Sequence, residues 1–317
     1  MVELNKIYNE DCLTFLKQMP DQYVECCITS PPYFGLRDYG MAGQIGLEET
    51  PEAYVEKMVA VFREVRRVLK DDGTLWLNLG DSYASNTKGS CGPSSKQDSN
   101  AGSRYNPRKF NHGVKEKDLM GIPWMVAFAL RADGWYLRQD IIWHKPNSMP
   151  ESMTDRCTKS HEYIFLLSKS LQYYFDAKAI AEQQQQSSRE RLTRGWNGDG
   201  DRGYPNGPQN HLKNYMGSFD SVEETPLTRN KRDVWTVTTK PYREAHFATY
   251  PPDLIEPCIK AGCPEGGIVL DPFMGAGTTA LVAHKLNRNY IGTELNPEYC
   301  QIAEKRILPY KLQQKLF

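Results

Sequence analysis

The chain has 317 residues, 25% of them charged, and its 39 Lys and Arg residues balance its 39 Asp and Glu residues, so the formal net charge is zero. This length fits one large α/β domain or two smaller ones. Because the net charge is zero, it provides no evidence for a polyanionic partner. The sequence has neither a signal-peptide core nor an apolar run near the ~20 residues of a membrane span, so we expect an intracellular protein that does not associate with membranes.

Strands and helices alternate in the first part of the chain, which is typical of a parallel sheet covered by helices. The clearest helix is predicted to begin at Pro51, after Thr50, and to stop at Gly73, with its apolar residues on one face. The predicted strands lie at 5–11, 23–29 and 73–81, and the predicted helices at 12–20 and 50–73.

A stiff turn follows the second predicted strand. It consists of Ser30, Pro31, Pro32 and Tyr33, and two consecutive prolines can neither extend a strand nor start a helix here. The prolines provide no amide donors, so the turn is suited to holding carbonyl oxygens and one aromatic ring in fixed positions.

Residues 84–117 interrupt the alternation. They are rich in Ser, Gly and Asn, lack an apolar period, and carry seven basic residues against two acidic ones. Loops of this length are usually functional or disordered, so we expect a mobile basic loop.

A second irregular region spans 176–235 and is rich in Arg, Asn, Gln, Tyr and Trp. Alternating elements precede it and resume after it. The predicted strands are 135–146, 161–170, 266–273 and 289–295, and the predicted helices are 122–134, 251–262, 278–287 and 297–307.

The strongest ligand-binding signal is the string Asp-Pro-Phe-Met-Gly-Ala-Gly-Thr-Thr at 271–279, which links a buried strand to a helix. Its two glycines allow a tight turn and close approach of a ligand. Glu294 ends the next strand, near the ~20-residue distance expected of an acid that binds ribose hydroxyls. The string is neither Gly-x-Gly-x-x-Gly nor a phosphate-binding loop, which favours a ligand with an adenosine and no phosphate.

Together the two motifs resemble those of the amino-methylating DNA methyltransferases that use S-adenosylmethionine. In that family Asp-Pro-Phe-x-Gly-x-Gly-Thr-Thr is the cofactor motif, and Ser/Asp/Asn-Pro-Pro-Tyr is the catalytic motif. The catalytic motif comes first here, as in the group called beta. The resemblance implies a Rossmann-like, doubly wound α/β fold with a mostly parallel sheet, helices on both faces and an inserted target-recognition region.

The resemblance also implies a division of the chain. Residues 1–175 form the catalytic half, which contains the loop 84–117. Residues 176–235 form the target-recognition region, and residues 236–317 form the cofactor-binding half.

The resemblance assigns site residues one by one. Asp11 meets the adenine of the cofactor, Phe273 packs near the adenosine, and Glu294 takes the ribose. Residues 246–258 resemble a segment that closes over the methionine part, where Gly275 and Gly277 also lie. The expected cofactor-binding residues are Asp11, Phe247, Thr249, Pro251, Asp271, Phe273, Gly275, Gly277, Thr278, Thr279 and Glu294.

Residues Ser30–Tyr33 provide a mechanism for this chemistry. An exocyclic base amine is a poor nucleophile because its lone pair is delocalised into the ring. Two acceptors, the Ser30 hydroxyl and the Pro31 carbonyl, can bind both N–H groups and favour a tetrahedral nitrogen. Tyr33 can stack on a target base that has left the duplex, and the methyl transfer is then direct. We therefore take Ser30, Pro31, Pro32 and Tyr33 as the catalytic residues.

The target base remains open between cytosine N4 and adenine N6. Family members with Ser at the first motif position often methylate cytosine, which favours N4. More distant alternatives are methylation of RNA or of a protein side-chain amide, and a non-enzymatic nucleic-acid-binding protein with an inactive cofactor fold. The cytosine C5 route needs a Cys nucleophile, and Cys258 follows a proline, but it falls on the buried side of a predicted helix.

The implied partner is double-stranded DNA, with or without a cognate restriction endonuclease, and the chain is a monomer or a homodimer. Arg, Asn and Gln of 176–235 are suited to reading base edges. The cysteines show no metal-binding spacing, so S-adenosylmethionine is the expected cofactor and no metal is expected. The candidate DNA-binding residues are Arg37, Lys88, Arg104, Arg108 and Lys109.

Overall fold

The computed structural model describes residues 2–84, 114–187, 228–240 and 249–314. Ten strands occur in these ranges. Eight of them, all except β6 and β7, form one sheet in the order β1-β10-β9-β2-β3-β5-β4-β8 when numbered along the chain. Their bounds are β1 Lys6–Tyr8, β2 Val24–Thr29, β3 Leu69–Leu79, β4 Tyr136–His144, β5 His161–Ser168, β6 Glu182–Gln183, β7 Thr228–Arg229, β8 Val234–Thr236, β9 Ile268–Asp271 and β10 Asn289–Thr293.

The large sheet is mostly parallel. Strand β5 runs antiparallel to its two neighbours β3 and β4, and every other pairing in this sheet is parallel. The C-terminal ends of the parallel strands and the N-terminal end of β5 therefore share one edge, which we call the carboxyl edge. In open α/β sheets ligands bind at this edge.

Helices cover both faces of the sheet, so its central strands β2 and β3 are largely buried on both sides. Leu75, Leu77 and Leu79 of β3 belong to one core with the first three helices. Trp76 points to the opposite face, where a Cβ at Gly262 in the fourth helix would lie 2.5 Å from the Trp76 indole nitrogen. The helices are α1 Cys12–Gln18, α2 Pro51–Val68, α3 Ile122–Ala132, α4 Pro252–Gly262, α5 Thr278–Lys285 and α6 Pro297–Gln314. The predicted fold class is thus confirmed.

Helix α2 begins as predicted, with the Thr50 side chain accepting from the Ala53 amide and Pro51 in the first turn. Its predicted end is wrong. The helix stops at Val68, and Gly73 lies inside β3, where a Cβ would be 2.9 Å from the Lys70 carbonyl. Leu69 pairs with Val24 of β2, and regular pairing resumes at Thr74 opposite Cys26, so residues 70–73 form an irregularity within β3. The strand therefore begins where the helix was predicted to continue, and glycine is needed for the close approach.

The chain divides into two compact units, Met1–Asp176 with Arg232–Phe317, and Ala177–Lys231. The described part of the second unit contains the two-stranded β6–β7 sheet, where Glu182 pairs with Arg229 and Lys231. In the first unit, the described ends of the 84–117 segment are joined by two backbone hydrogen bonds, since the Lys117 amide donates to the Ala84 carbonyl and the Ala84 amide donates to the Asp118 carbonyl. None of the described helices combines the length and apolar character that crossing a membrane requires.

Candidate active site

The two sequence motifs meet at the carboxyl edge of the sheet. Strands β2 and β9 are parallel neighbours, with Cys27 opposite Leu270, so the chain after β2 lies beside the chain after β9. Thr29, the residue before Ser30, donates its hydroxyl to Asp271 Oδ1 at 2.6 Å. A single hydrogen bond therefore joins the catalytic motif to the cofactor motif.

Asp271 is the hub of this junction and is fully buried. Its Oδ1 also accepts from the Phe273 amide at 3.0 Å, and its Oδ2 accepts from the hydroxyls of Tyr250 at 3.0 Å and Thr279 at 2.5 Å. Burial raises the pKa of Asp271, and the four donors oppose that shift. Since both oxygens have two protein donors, Asp271 holds the turn together, and the side chain has no acceptor site left for a ligand.

The glycine turn has the backbone geometry that the motif predicts. Gly275 has φ +51° and Gly277 has φ +77°, values that L-residues with side chains rarely adopt. A Cβ at Gly277 would also lie 2.7 Å from Ala303 Cβ of α6, so glycine there allows α5 and α6 to pack closely. The turn leaves open space at Gly275, where a Cβ would meet no atom within 4 Å.

Glu294 follows β10 and reaches across to this turn. Its carboxylate accepts from the Gly275 amide and from the Asn296 amide, each at 2.8 Å. Burial raises the pKa of Glu294, and the two amides oppose the shift. The residue predicted to bind the ribose therefore lies directly after β10. Because β10 is the neighbour of β9, which carries Asp271, both acids lie at the same edge of the sheet.

Several of the predicted cofactor-binding residues make hydrogen bonds or packing contacts within the protein. Asp11 caps α1 through the Thr14 amide at 2.9 Å, and the buried Thr278 hydroxyl accepts from Arg306 at 2.9 Å. Pro251 is buried at the start of α4, and Thr249 and Phe273 are half-buried. Phe247 lies outside the described residues. The cofactor contacts of all these residues stay predictions.

In the catalytic turn, the carbonyl groups of Pro31 and Pro32 differ in their hydrogen bonding. The Pro32 carbonyl accepts from the Tyr54 hydroxyl at 2.9 Å, which fixes the turn to α2. Among the described residues, no donor bonds the Pro31 carbonyl. Ser30 is half-buried and its Oγ lies 3.3 Å from the Tyr33 hydroxyl. Pro31 itself is buried, and the roles of both groups as acceptors for the amine stay predictions.

Tyr33 contacts a polar cluster that sequence reasoning missed. Its hydroxyl lies 2.8 Å from Glu162 Oε2 and 3.2 Å from Asn78 Oδ1, and Lys145 pairs with the other oxygen of Glu162. Burial, followed by the charge of Glu162, raises the pKa of Tyr33. Glu162 is the second residue of β5, the antiparallel strand of the large sheet, so only the topology brings it to this edge. The available signal was its position at the start of the predicted strand 161–170.

The remaining predicted residues fall in two groups. Arg37 is half-buried, and its charge lowers the pKa of Tyr39 and Tyr299, which burial raises. Glu294 also acts on both tyrosines, so Arg37 lies on the side of the edge that carries the expected cofactor site. The other DNA-binding candidates, Lys88, Arg104, Arg108 and Lys109, lie outside the described residues.

Cys258 is fully buried in α4, as its helical position predicts. Its Sγ faces the Leu254 carbonyl at 3.8 Å, one turn earlier in the same helix. A nucleophilic thiolate needs exposure, and this buried position provides none. The described residues contain no cluster of His, Cys, Asp and Glu that could hold a metal ion.

Comparison with known proteins gives a family. A model described as DNA methylase matches residues 24–305. The chain is 44% identical to the type II methyltransferase M.Cfr9I of Citrobacter freundii, covering 96% of this chain and 89% of that protein. It is also 44% identical to the type II methyltransferase M.SmaI of Serratia marcescens, over 96% of this chain and 90% of that protein.

Two solved structures share the fold. The PvuII DNA methyltransferase, described as cytosine-N4-specific, superposes with a TM-score of 0.62 at 18% identity, over 99% of this chain and 93% of that one. TTHA0409 of Thermus thermophilus, crystallised with S-adenosyl-L-methionine, gives a TM-score of 0.57 at 22% identity, over 96% and 93% of the two chains. At these identities the likeness establishes the architecture.

Proposed function

Because this chain belongs to the family of N6- and N4-type DNA methylases, which use S-adenosylmethionine, we propose that it methylates the N4 amine of cytosine in duplex DNA. The observation that carries this proposal is the hydrogen bond between Thr29 and Asp271, since it places the catalytic turn beside the cofactor turn. The preference for cytosine rests on Ser30 at the first position of the catalytic motif. Adenine N6 is the alternative that the experiment below distinguishes.

The residues at the carboxyl edge fit the cofactor. The tight glycine turn offers a close approach to backbone at Gly275, and Glu294 presents a carboxylate beside it for hydroxyl groups. When bound, S-adenosylmethionine supplies a methyl group on a positively charged sulfur. We assign Glu294 to the ribose, Phe273 to the adenosine, and the Asp271 network to holding the turn in shape.

The catalytic turn prepares the amine. Ser30 Oγ and the Pro31 carbonyl accept its two N–H groups, which directs the nitrogen lone pair out of the base plane. The Pro32 carbonyl is fixed by Tyr54, so the turn needs little reorganisation during the reaction. With S-adenosylmethionine bound, the nitrogen held in this way would bond to its methyl carbon as the carbon–sulfur bond breaks, and the cationic amine would then lose a proton to solvent.

DNA binding is assigned to segments outside the catalytic turn. We propose that residues 176–235, which include the second unit Ala177–Lys231, contribute target recognition and that the basic residues of 84–117 contact phosphates. Arg37 is proposed to contact DNA at the edge of the site.

The test is incubation of the purified protein with isotope-labelled S-adenosylmethionine and unmethylated genomic DNA, followed by digestion to nucleosides and chromatography with mass detection. We expect labelled N4-methyldeoxycytidine, which chromatography separates from the C5 isomer of equal mass. Labelled N6-methyldeoxyadenosine would correct the target base, and label in neither amine would contradict the proposal. The Ser30→Ala variant, which lacks one of the two acceptors, should incorporate less label under the same conditions.

A further inference from the structure

A series of hydrogen-bonded side chains extends from Ser30, a proposed acceptor of the target amine, through Tyr33 to Glu162. Ser30 Oγ lies 3.3 Å from the Tyr33 oxygen, and the Tyr33 oxygen lies 2.8 Å from Glu162 Oε2. Glu162 is separated from Tyr33 by 129 positions in sequence and belongs to β5, on the far side of β3 from the catalytic strand. This hydrogen-bonded series therefore connects Ser30, the first residue of the catalytic motif, to the carboxylate of Glu162, which belongs to neither motif.

Counting protons fixes the direction of these hydrogen bonds. Tyr33 has one hydroxyl proton and two acceptors within reach, Glu162 Oε2 at 2.8 Å and Asn78 Oδ1 at 3.2 Å. The carboxylate is closer and charged, so it takes that proton. The Tyr33 oxygen then accepts from Ser30, which leaves the lone pairs of Ser30 Oγ facing outward.

Glu162 is held in place from three sides. Lys145 pairs with its Oε1, and Asn78 Nδ2 donates to its Oε2 at 3.3 Å while also donating to the Tyr163 carbonyl at 3.0 Å. Gly80 makes room for the arrangement, since a Cβ there would lie 2.6 Å from Tyr33 Cε2 and 3.3 Å from the Glu162 carboxyl carbon. The side chains of Glu162 and Lys145 are 16% and 18% exposed, so solvent weakens the pair little.

We propose that Glu162 is a positioning residue for methyl transfer, which acts through Tyr33 to keep the Ser30 hydroxyl oriented as an acceptor for the target amine. The inference rests on the proposed function. Without the negative charge on Glu162, the Tyr33 proton has no preferred acceptor, and Ser30 can point its own proton at the amine. A donor facing a donor repels, so the amine would lose one of its two acceptors.

The proposal is tested by a double-mutant cycle in single-turnover methyl transfer, with Tyr33→Phe, Glu162→Gln and both together. Tyr33→Phe keeps the ring and removes the hydroxyl, and Glu162→Gln keeps the size and removes the charge. We expect each single change to lower the rate at saturating cofactor and DNA by about 10- to 100-fold, the loss typical of a hydrogen bond to a charged group. The double variant should be about as slow as the slower single variant, because both changes interrupt the same series of hydrogen bonds.

If Glu162 had a purely structural role, its replacement would also weaken the binding of cofactor and DNA. We therefore expect the dissociation constants for cofactor and DNA to stay within about threefold of the wild-type values. Glu25→Gln is the matched control: Glu25 is 15% exposed and pairs with Lys70, but it lies at the opposite edge of the sheet, where it accepts from the amide of Ile268. It should lose stability and keep its rate.

Four results overturn the inference. Full rate in Glu162→Gln does so directly, and rate losses that multiply in the double variant show that Glu162 acts by another path. Should Glu162→Gln fail to fold, full rate in Tyr33→Phe decides against the inference on its own. Absence of transfer by the wild type instead overturns the proposed function, and the inference with it.

Discussion

At the scale of single residues, the site separates structural acids from acids that remain available to a ligand. Asp271 looks like a cofactor ligand in the sequence, yet four protein donors occupy its oxygens. Glu294 accepts one amide on each oxygen and so retains a lone pair on each. Of these two carboxylates, the half-buried Glu294 is therefore the one that can accept from ribose hydroxyls.

The raised pKa of Glu294 predicts how cofactor affinity depends on pH. A raised pKa means that this carboxyl is protonated at a higher pH than an exposed glutamate, whose pKa is about 4.3. Protonation removes acceptor capacity, so the affinity should decline as the pH falls towards that pKa and be full well above it. Glu294→Gln should bind S-adenosylmethionine more weakly at about pH 8, with the wild-type advantage shrinking towards about pH 5.

Calorimetry at several pH values measures this difference. Glu265→Gln, an exposed residue with a loose contact to Arg288, is the control and should match the wild type throughout. An advantage that stays constant over the whole pH range would show that ionised Glu294 does not bind the ribose.

At the scale of elements, the carboxyl edge depends on helix termini that are capped from other parts of the chain. Gly121 stands at the N-terminus of α3 in a left-handed conformation and offers no side-chain cap. Asp81, after β3, replaces it: its carboxylate accepts from the amides of Gly121 at 3.1 Å and Ile122 at 3.2 Å. This contact ties the end of β3, next to Asn78 and Gly80, to α3.

Removing that cap should destabilise the protein. Asp81→Ala is expected to lower the free energy of unfolding by about 1–2 kcal/mol, since two amides lose their acceptor, whereas Asp81→Asn should lose less because it keeps one oxygen. Urea titration monitored by tryptophan fluorescence measures both. Asp21→Ala, which breaks an exposed pair with Arg67, should cost less than about 1 kcal/mol. Equal losses for Asp81→Ala and Asp21→Ala would contradict the capping role.

At the scale of the whole molecule, zero net charge hides a local excess of positive charge. The segment 84–117 carries seven basic residues and two acidic ones. Its ends are joined at Ala84 and Lys117, so the segment leaves and re-enters the same unit at one place, just beyond β3. Phosphate binding by such a segment would add affinity without selecting a sequence.

Replacing Lys88, Arg104, Arg108 and Lys109 with Ala should therefore weaken binding to all duplexes alike. The slope of log K against log salt should fall by about 0.9 for each phosphate that the variant no longer neutralises, up to roughly 3–4 in total. Fluorescence anisotropy with cognate and scrambled duplexes at several salt concentrations measures both effects. Replacing Lys6, Lys17, Lys260 and Lys305 is the charge-matched control. An unchanged salt slope in the loop variant would remove the segment from the DNA interface.

The sequence by itself determined the family, the fold class and the two motifs. These properties are local: apolar periodicity defines each element, proline and glycine define the turns, and the spacing from Asp271 to Glu294 lies within one strand–helix–strand unit. The end of α2 was predicted wrongly for a related reason, because Leu69 starts β3 by pairing with Val24 of β2, a partner that helix periodicity does not reveal.

Only the tertiary structure decided which side chains surround the reaction. Thr29 meets Asp271 across 242 positions, and Tyr33 meets Glu162 across 129. Both contacts follow from strand order and from the reversed direction of β5, which brings the N-terminal end of that strand to the carboxyl edge. Strand order is fixed by packing and pairing between distant segments, and the pattern of a single segment does not contain it.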